Sequence, residues 1–211
     1  MHISEGVLSP TILGIGAAVA VAGIAIGLRQ MREDRIMETG ILSAAFFLGS
    51  LIHVPVGFGS AHLLLCGLLG VMLGWAAFPA IFAALLLQAI LLQFGGLTTL
   101  GVNTATMGGA AVCAFYIFEF LRKIRPGHLK FAAFCGGFAG VAIAALLTSL
   151  ALAFTNEGFV AAAGALLLAH VPVMIAEGLI TAVTVSFIAR VRPQMLPIQI
   201  LNSKGSIAPN W

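Results

Sequence analysis

Apolar residues run along this chain in long blocks separated by short polar or Pro- and Gly-containing breaks. Seven blocks stand out: Leu8 to Leu28, Gly40 to Pro55, Ala61 to Phe78, Ala80 to Phe94, Ala105 to Leu121, Phe131 to Phe154 and Phe159 to Ala189. A helix needs roughly 20 mostly apolar residues to cross the hydrocarbon core of a bilayer. The pattern therefore predicts an all-α, polytopic membrane helical bundle of about seven transmembrane helices. Several blocks are near the lower limit, and the last is long, with Pro172 expected to kink it. No internal repeat is present, and no linker is long enough for a second domain. Residues 1–192 are expected to form one membrane-embedded domain and residues 193–211 a cytoplasmic C-terminal tail.

Composition agrees with this reading. Of 211 residues, 61% are hydrophobic and 8% charged, whereas a water-soluble domain carries about 25% charged residues. A soluble enzyme, a nucleic-acid binder and a disordered protein are all excluded. The net charge of +3 does not point to a polyanion partner, because the ten Lys and Arg residues fall in three clusters. Arg29, Arg32 and Arg35 follow the first block; Arg122, Lys123, Arg125 and Lys130 separate the fifth and sixth; Arg190, Arg192 and Lys204 follow the seventh. Basic loops stay in the cytoplasm. With an odd number of spans all three clusters face the cytoplasm, the N-terminus lies outside and the C-terminus inside. The linkers Val56 to Ser60, Gly95 to Thr104 and Thr155 to Gly158 contain no Lys or Arg and fall outside. The N-terminal stretch lacks a basic n-region and carries Glu5, so it is read as a retained span with its first residues outside.

Lipid tails are as apolar as leucine, so helices associate through close packing of small residues. Gly14, Ala18 and Ala22, with Gly23 and Gly27 beside them, supply such spacing in the first span. Ala45 and Gly49 supply it in the second, and Gly136 and Gly140 in the sixth. These faces serve intramolecular packing or the docking of a partner membrane subunit. Cys66, Cys113 and Cys135 lack pair spacing and are expected to be small core residues.

Ionisable groups within membrane spans are expensive to bury and are functional candidates by default. His128 lies in a basic loop, and His53 and His62 flank the linker Val54 to Ala61, with His62 expected to begin the third span at the outer surface. His170, Met174 and Glu177 share one helical face, as satisfied interior groups or as part of a solute path. His2 is the most informative. A free chain start followed by His offers the Met1 α-amine, the His2 amide and the His2 imidazole. Chelation closes a five-membered ring (amine and amide) and a six-membered ring (amide and Nδ1), filling three corners of a square. Square-planar nitrogen coordination suits Ni(II) or Cu(II). His62 is the natural fourth donor, with His53 in reserve. Only seven Asp and Glu exist, Glu33, Asp34 and Glu38 in one loop, which argues against an oxygen cage for Mg(II) or Ca(II).

The opening Met1-His2-Ile3-Ser4-Glu5-Gly6-Val7-Leu8-Ser9-Pro10 resembles the N-terminus of the CbiM/NikM family. These proteins are the substrate-capture (S) subunits of energy-coupling factor (ECF) transporters for cobalt and nickel. His53-Val54-Pro55 through Ser60-Ala61-His62-Leu63, Leu73 to Ala80, Phe94 to Asn103 and, more weakly, Ala176 to Thr181 are similar to the same family. The resemblance implies a metal held by Met1, His2 and His62, with the Gly95 to Asn103 loop beside the site. Asn103, and His53 from the other side, would then orient a ligand by hydrogen bonding. Departures from the family pattern are Cys66 and Thr106, where Asn is frequent, and Phe58, where a small residue or proline is usual.

The resemblance further implies an inner-membrane importer subunit that captures Ni(II) or Co(II) as its transported ligand. It would work with a membrane T-subunit, ATPase subunits and a small accessory membrane subunit. No G-x-x-x-x-G-K-[ST] loop is present, so the chain is not expected to hydrolyse ATP or act as an enzyme, and no cofactor is expected. The contrasting reading is a secondary transporter or channel that relays ions or protons through His170 and Glu177.

Overall fold

The computed structural model describes residues 3–56, 59–125 and 127–196. Its first helix, α1 (Pro10–Gln30), starts where local chemistry favours a start. The Ser9 hydroxyl accepts the Ile12 N–H at 3.5 Å, and Pro10 fits the first turn. There follow α2 (Ile36–Gly49), β1 (His53–Val56), β2 (Gly59–His62), α3 (Cys66–Leu73), α4 (Ala77–Leu91), α5 (Leu100–Ile124), α6 (Leu129–Ala153), α7 (Val160–Ala169) and α8 (Val171–Val191).

Five stretches of the described residues are long and apolar enough to cross a membrane: Pro10–Gln30, Cys66–Leu91, Leu100–Ile124, Leu129–Ala153 and Val160–Val191. The second of these is not a single rod. Gly70 packs on Ala111 and Gly74 on Phe115, after which Phe78 returns to Gly108. The chain thus descends along α5 as α3 and turns back as α4 through Gly74, whose φ of 57° the missing side chain permits. All eight residues of α3 are buried. At roughly 12 Å this half-helix is too short to span alone and instead fills the middle of the bundle. Gly67 makes that burial possible: a Cβ there would sit 2.6 Å from the Gly137 carbonyl oxygen of α6. In the last stretch the break falls at His170, with Pro172 in the first turn of α8, as the kink expectation required.

The second and third blocks need correction. Helix α2 ends at Gly49, and His53–Val56 pairs antiparallel with Gly59–His62, His53 opposite His62. The fold class is all-helical as expected apart from this short hairpin, and His62 closes a strand four residues ahead of α3 instead of opening a helix. Irregular backbone of this kind is tolerated at membrane depth only where protein surrounds it. Leu63 to Leu65, which continue from the hairpin, are buried, and the Leu63 N–H donates to the Ile52 carbonyl at 3.1 Å.

Packing also fixes relative directions. Gly16 lies against Val102, and Gly23 and Gly108 both lie against the Phe78 ring, so α1 and α5 run the same way. Gly136 faces Phe118 and Gly140 faces Ala114, making α6 antiparallel to α5; Gly137 lies against Thr181 while Ser149 donates to the Ala163 carbonyl at 3.0 Å, so the stretch of α7 and α8 runs antiparallel to α6. Helices α1, α5 and α8 therefore end together, carrying Arg29, Arg122, Lys123 and Arg190 to one end of the bundle. Arg35 ties that end together by donating to the Met195 carbonyl at 2.6 Å and the Met72 carbonyl at 3.2 Å.

The small-residue expectations divide. Gly136, Gly140 and Gly49 make close contacts, and in α1 the buried face is Gly16, Ala20, Gly23 and Gly27. Gly14, Ala18 and Ala22 point outward. Among the cysteines Cys66 is a core residue, while Cys113 is exposed on its helix.

Candidate functional site

Ile3 is drawn into the bundle by α5. Thr99 and Asn103 lie one helical turn apart at its N-terminal end and are both buried. Asn103 Oδ1 accepts the Ile3 N–H at 3.1 Å, and Asn103 Nδ2 donates to the Ile3 carbonyl at 3.2 Å. The Thr99 hydroxyl donates to the same carbonyl at 2.9 Å. Both main-chain polar groups of Ile3 are thereby satisfied in an apolar setting, and its side chain packs with Leu8 and Val102. The loop before α5 closes over the next residues. Glu5 Oε1 accepts the Thr98 N–H at 3.2 Å, and the Glu5 side chain occupies the space a Cβ on Gly96 would need. Gly96, with φ 153°, is thus required on two counts.

His62 stands at the end of β2, half-buried, with Nδ1 3.1 Å from the Leu63 carbonyl oxygen. That contact favours the tautomer with the proton on Nδ1 and the lone pair on Nε2. Burial lowers the pKa of His62 below the ordinary imidazole value, against a smaller upward pull from the Leu63 carbonyl. A neutral imidazole is the form that donates to a metal. His53 is placed opposite it by the hairpin register.

Behind the hairpin lie two groups of the last span. His170 directs Nδ1 to the Leu166 carbonyl at 2.7 Å, and its Nε2 has no hydrogen-bond partner. His62 is close enough to act on it electrostatically. Glu177 is fully buried, and its Oε1 accepts N–H groups from both Leu64 and Leu65.

Of the residues singled out from sequence, the structure therefore joins Asn103 to the third residue of the chain and pairs His53 with His62. Met1 and His2, like Phe58, lie outside the described residues. Among the described residues no three His, Cys, Asp or Glu side chains gather in a group that could hold a metal. Sequence reasoning missed Thr99, Glu5 and the partners of Glu177. The first two lie inside the resemblance segments but act on backbone groups, and the third appears only when α8 and α3 are brought together.

Comparison with known proteins places this arrangement. Residues 2–195 match the family model of CbiM, the cobalt uptake substrate-specific transmembrane region. A Haemophilus influenzae protein whose name assigns it to metal transport is 42% identical over 201 residues, covering 93% of this chain and 97% of that one. An Archaeoglobus fulgidus protein, named as a fused nickel transport protein NikMN, is 30% identical over 214 residues, covering 99% of this chain and 72% of its own. The crystal structure of a transition metal transporter superposes with a TM-score of 0.80 at 28% identity, covering 90% of this chain and 93% of that one. The chain is an integral membrane protein and belongs to the CbiM family.

Proposed function

We propose that this chain is the substrate-capture subunit of an ECF-type importer in the inner membrane and takes Ni(II) or Co(II) from the outer face. The observation that carries the proposal is the clamp of Asn103 and Thr99 on Ile3. It holds Ile3 in the interior, and Ile3 follows directly in sequence the two residues whose nitrogens are suited to a square-planar cation. The donors are the Met1 α-amine, the His2 amide nitrogen and imidazole, and the His62 imidazole. Three of the four donors belong to one dipeptide, which closes both chelate rings on the ion and needs only one partner from the fold. His62, neutral through burial, supplies it. Asn103 orients the dipeptide through Ile3, and His53 supports His62 from the neighbouring strand. Binding displaces protons from the amine and the amide, so affinity rises with pH.

In this reading the three basic helix ends face the cytoplasm and the hairpin and chain start face outward. Seven membrane passes are counted when α3 is taken together with residues 59–65 before it, alongside α1, α2, α4, α5, α6 and the α7–α8 stretch. The bundle contains no phosphate-binding loop, so the work comes from separate ATPase subunits through a membrane T-subunit. The fused nickel transport relative supports association with a small accessory membrane subunit. Residues 1–192 form the metal-handling unit, with 193–211 following it on the cytoplasmic side.

The test is metal analysis of purified protein loaded competitively with Ni(II) and Co(II). One bound transition-metal ion per chain, greatly weakened by His62→Ala, supports the reading; equal retention by His62→Ala contradicts it.

A further inference from the structure

Glu177 is a full carboxylate side chain with no exposed surface, in the middle of the final apolar span. Such a group persists only where it is strongly hydrogen-bonded. One oxygen, Oε1, accepts two consecutive backbone N–H groups, Leu64 and Leu65, while Oε2 has no partner. Leu65 has φ 56° and ψ 9°, the left-handed conformation that a branched apolar residue avoids. Consecutive amides that converge at a left-handed residue form a concave nest for an anion. The start of α3 lies immediately beyond, its first turn secured by the Leu69 N–H on the Leu65 carbonyl at 2.9 Å, so the helix dipole adds to the attraction. Glu177 thus serves as a built-in acceptor that keeps residues 64–65 in a shape they would not otherwise hold.

His62 is two residues before that nest, and the segment between them has little freedom. The Leu63 N–H is held by Ile52, and the Leu63 carbonyl meets the His62 ring. We propose that Glu177 is a positioning residue for His62: by holding the Leu64–Leu65 nest from α8 it fixes the strand end that presents the imidazole to the metal. This rests on the reading of His62 as a metal donor. Glu177 does not touch the metal in this account; it acts through the backbone, and its removal should cost affinity only while His62 is present.

Ni(II) affinity and the Ni(II) ligand-field absorption are measured for the full chain in detergent. The variants are Glu177→Gln, Glu177→Leu, Glu177→Asp, His62→Ala and the double variant His62→Ala/Glu177→Asp. Glu177→Gln keeps an acceptor at Oε1 and should bind close to the original affinity. Glu177→Leu and Glu177→Asp should weaken binding on the order of 10- to 100-fold, the usual effect of losing a group that orients a ligand. Their absorption should move toward that of His62→Ala. Glu177→Asp keeps the charge and is a milder change, so it serves if Glu177→Leu does not fold. In the His62→Ala background Glu177→Asp should add no further loss. The inference is overturned if folded Glu177→Asp binds as the original does, or if it loses the same factor with and without His62. If His62→Ala alone leaves binding and spectrum unchanged, the donor assignment fails first, and that result is independent of any change at Glu177.

Discussion

The side-chain amide of Asn103 forms a two-point clamp on the main chain of Ile3, accepting from its N–H at 3.1 Å and donating to its carbonyl at 3.2 Å. The two residues are 100 positions apart in sequence, and the clamp reproduces with a side chain what a neighbouring strand would offer. No other amino acid except Gln carries both an acceptor and a donor in that arrangement, and Gln is one methylene too long for the same placement.

Asn103→Leu removes both contacts while keeping the volume. The Thr99 hydroxyl still serves the Ile3 carbonyl, but the buried Ile3 N–H loses its acceptor, at a cost of about 1–3 kcal/mol. Because that cost falls on the docking of the chain start, metal affinity should drop on the order of 10- to 100-fold. Thr99→Val should cost less, since Asn103 continues to donate to the same carbonyl. Ni(II) titration of both variants, with their thermal midpoints, checks the order.

The pH dependence separates two processes. Burial lowers the pKa of His62, so on acidification the unfolded chain takes up this proton before the folded one does. Its contribution to stability is complete above the ordinary imidazole pKa of about 6.5 and is lost as pH falls through the lower folded value. The metal-free thermal midpoint should therefore fall below about pH 6.5, and less so in His62→Gln. Metal affinity should instead climb through about pH 8, where an α-amine loses its proton. Melting and metal-binding curves measured across that range distinguish the two.

Gly67 and Gly14 offer a matched pair for bundle packing. A Cβ on Gly67 meets the Gly137 carbonyl at 2.6 Å, whereas one on Gly14 meets nothing within 4 Å. Gly67→Ala should destabilise the detergent-solubilised protein by about 1–3 kcal/mol or more through forced separation of α3 and α6. Gly14→Ala should leave the thermal midpoint unchanged or slightly raised.

How much of this could be read from the chain follows from what hydropathy measures. Long apolar runs, the Ser9-Pro10 start and the Pro172 break are local features, and each has its counterpart in the helices. The hairpin is not local: its strands form by pairing His53–Val56 with Gly59–His62, a register that hydropathy does not report. The inward face of α1 was equally hidden, because small and apolar residues surround that helix on all sides. The partner surfaces Val102 and Phe78 decide in favour of Gly16 and Gly23 over Gly14 and Ala22. At the candidate site, Asn103 and His62 were visible through motif resemblance. Thr99 and Glu177 act through backbone groups, whose positions no residue pattern reports.

The central claim is that the chain start itself binds the metal, and blocking its α-amine tests it most directly. Protein with a free Met1 and protein acetylated at Met1 are loaded with Ni(II) under identical conditions, desalted and assayed for metal per chain, with folding checked by thermal melting. The account predicts about one ion per chain in the free form and almost none in the acetylated form, at equal thermal midpoints before metal is added. Stoichiometric metal retained by folded, acetylated protein would contradict it.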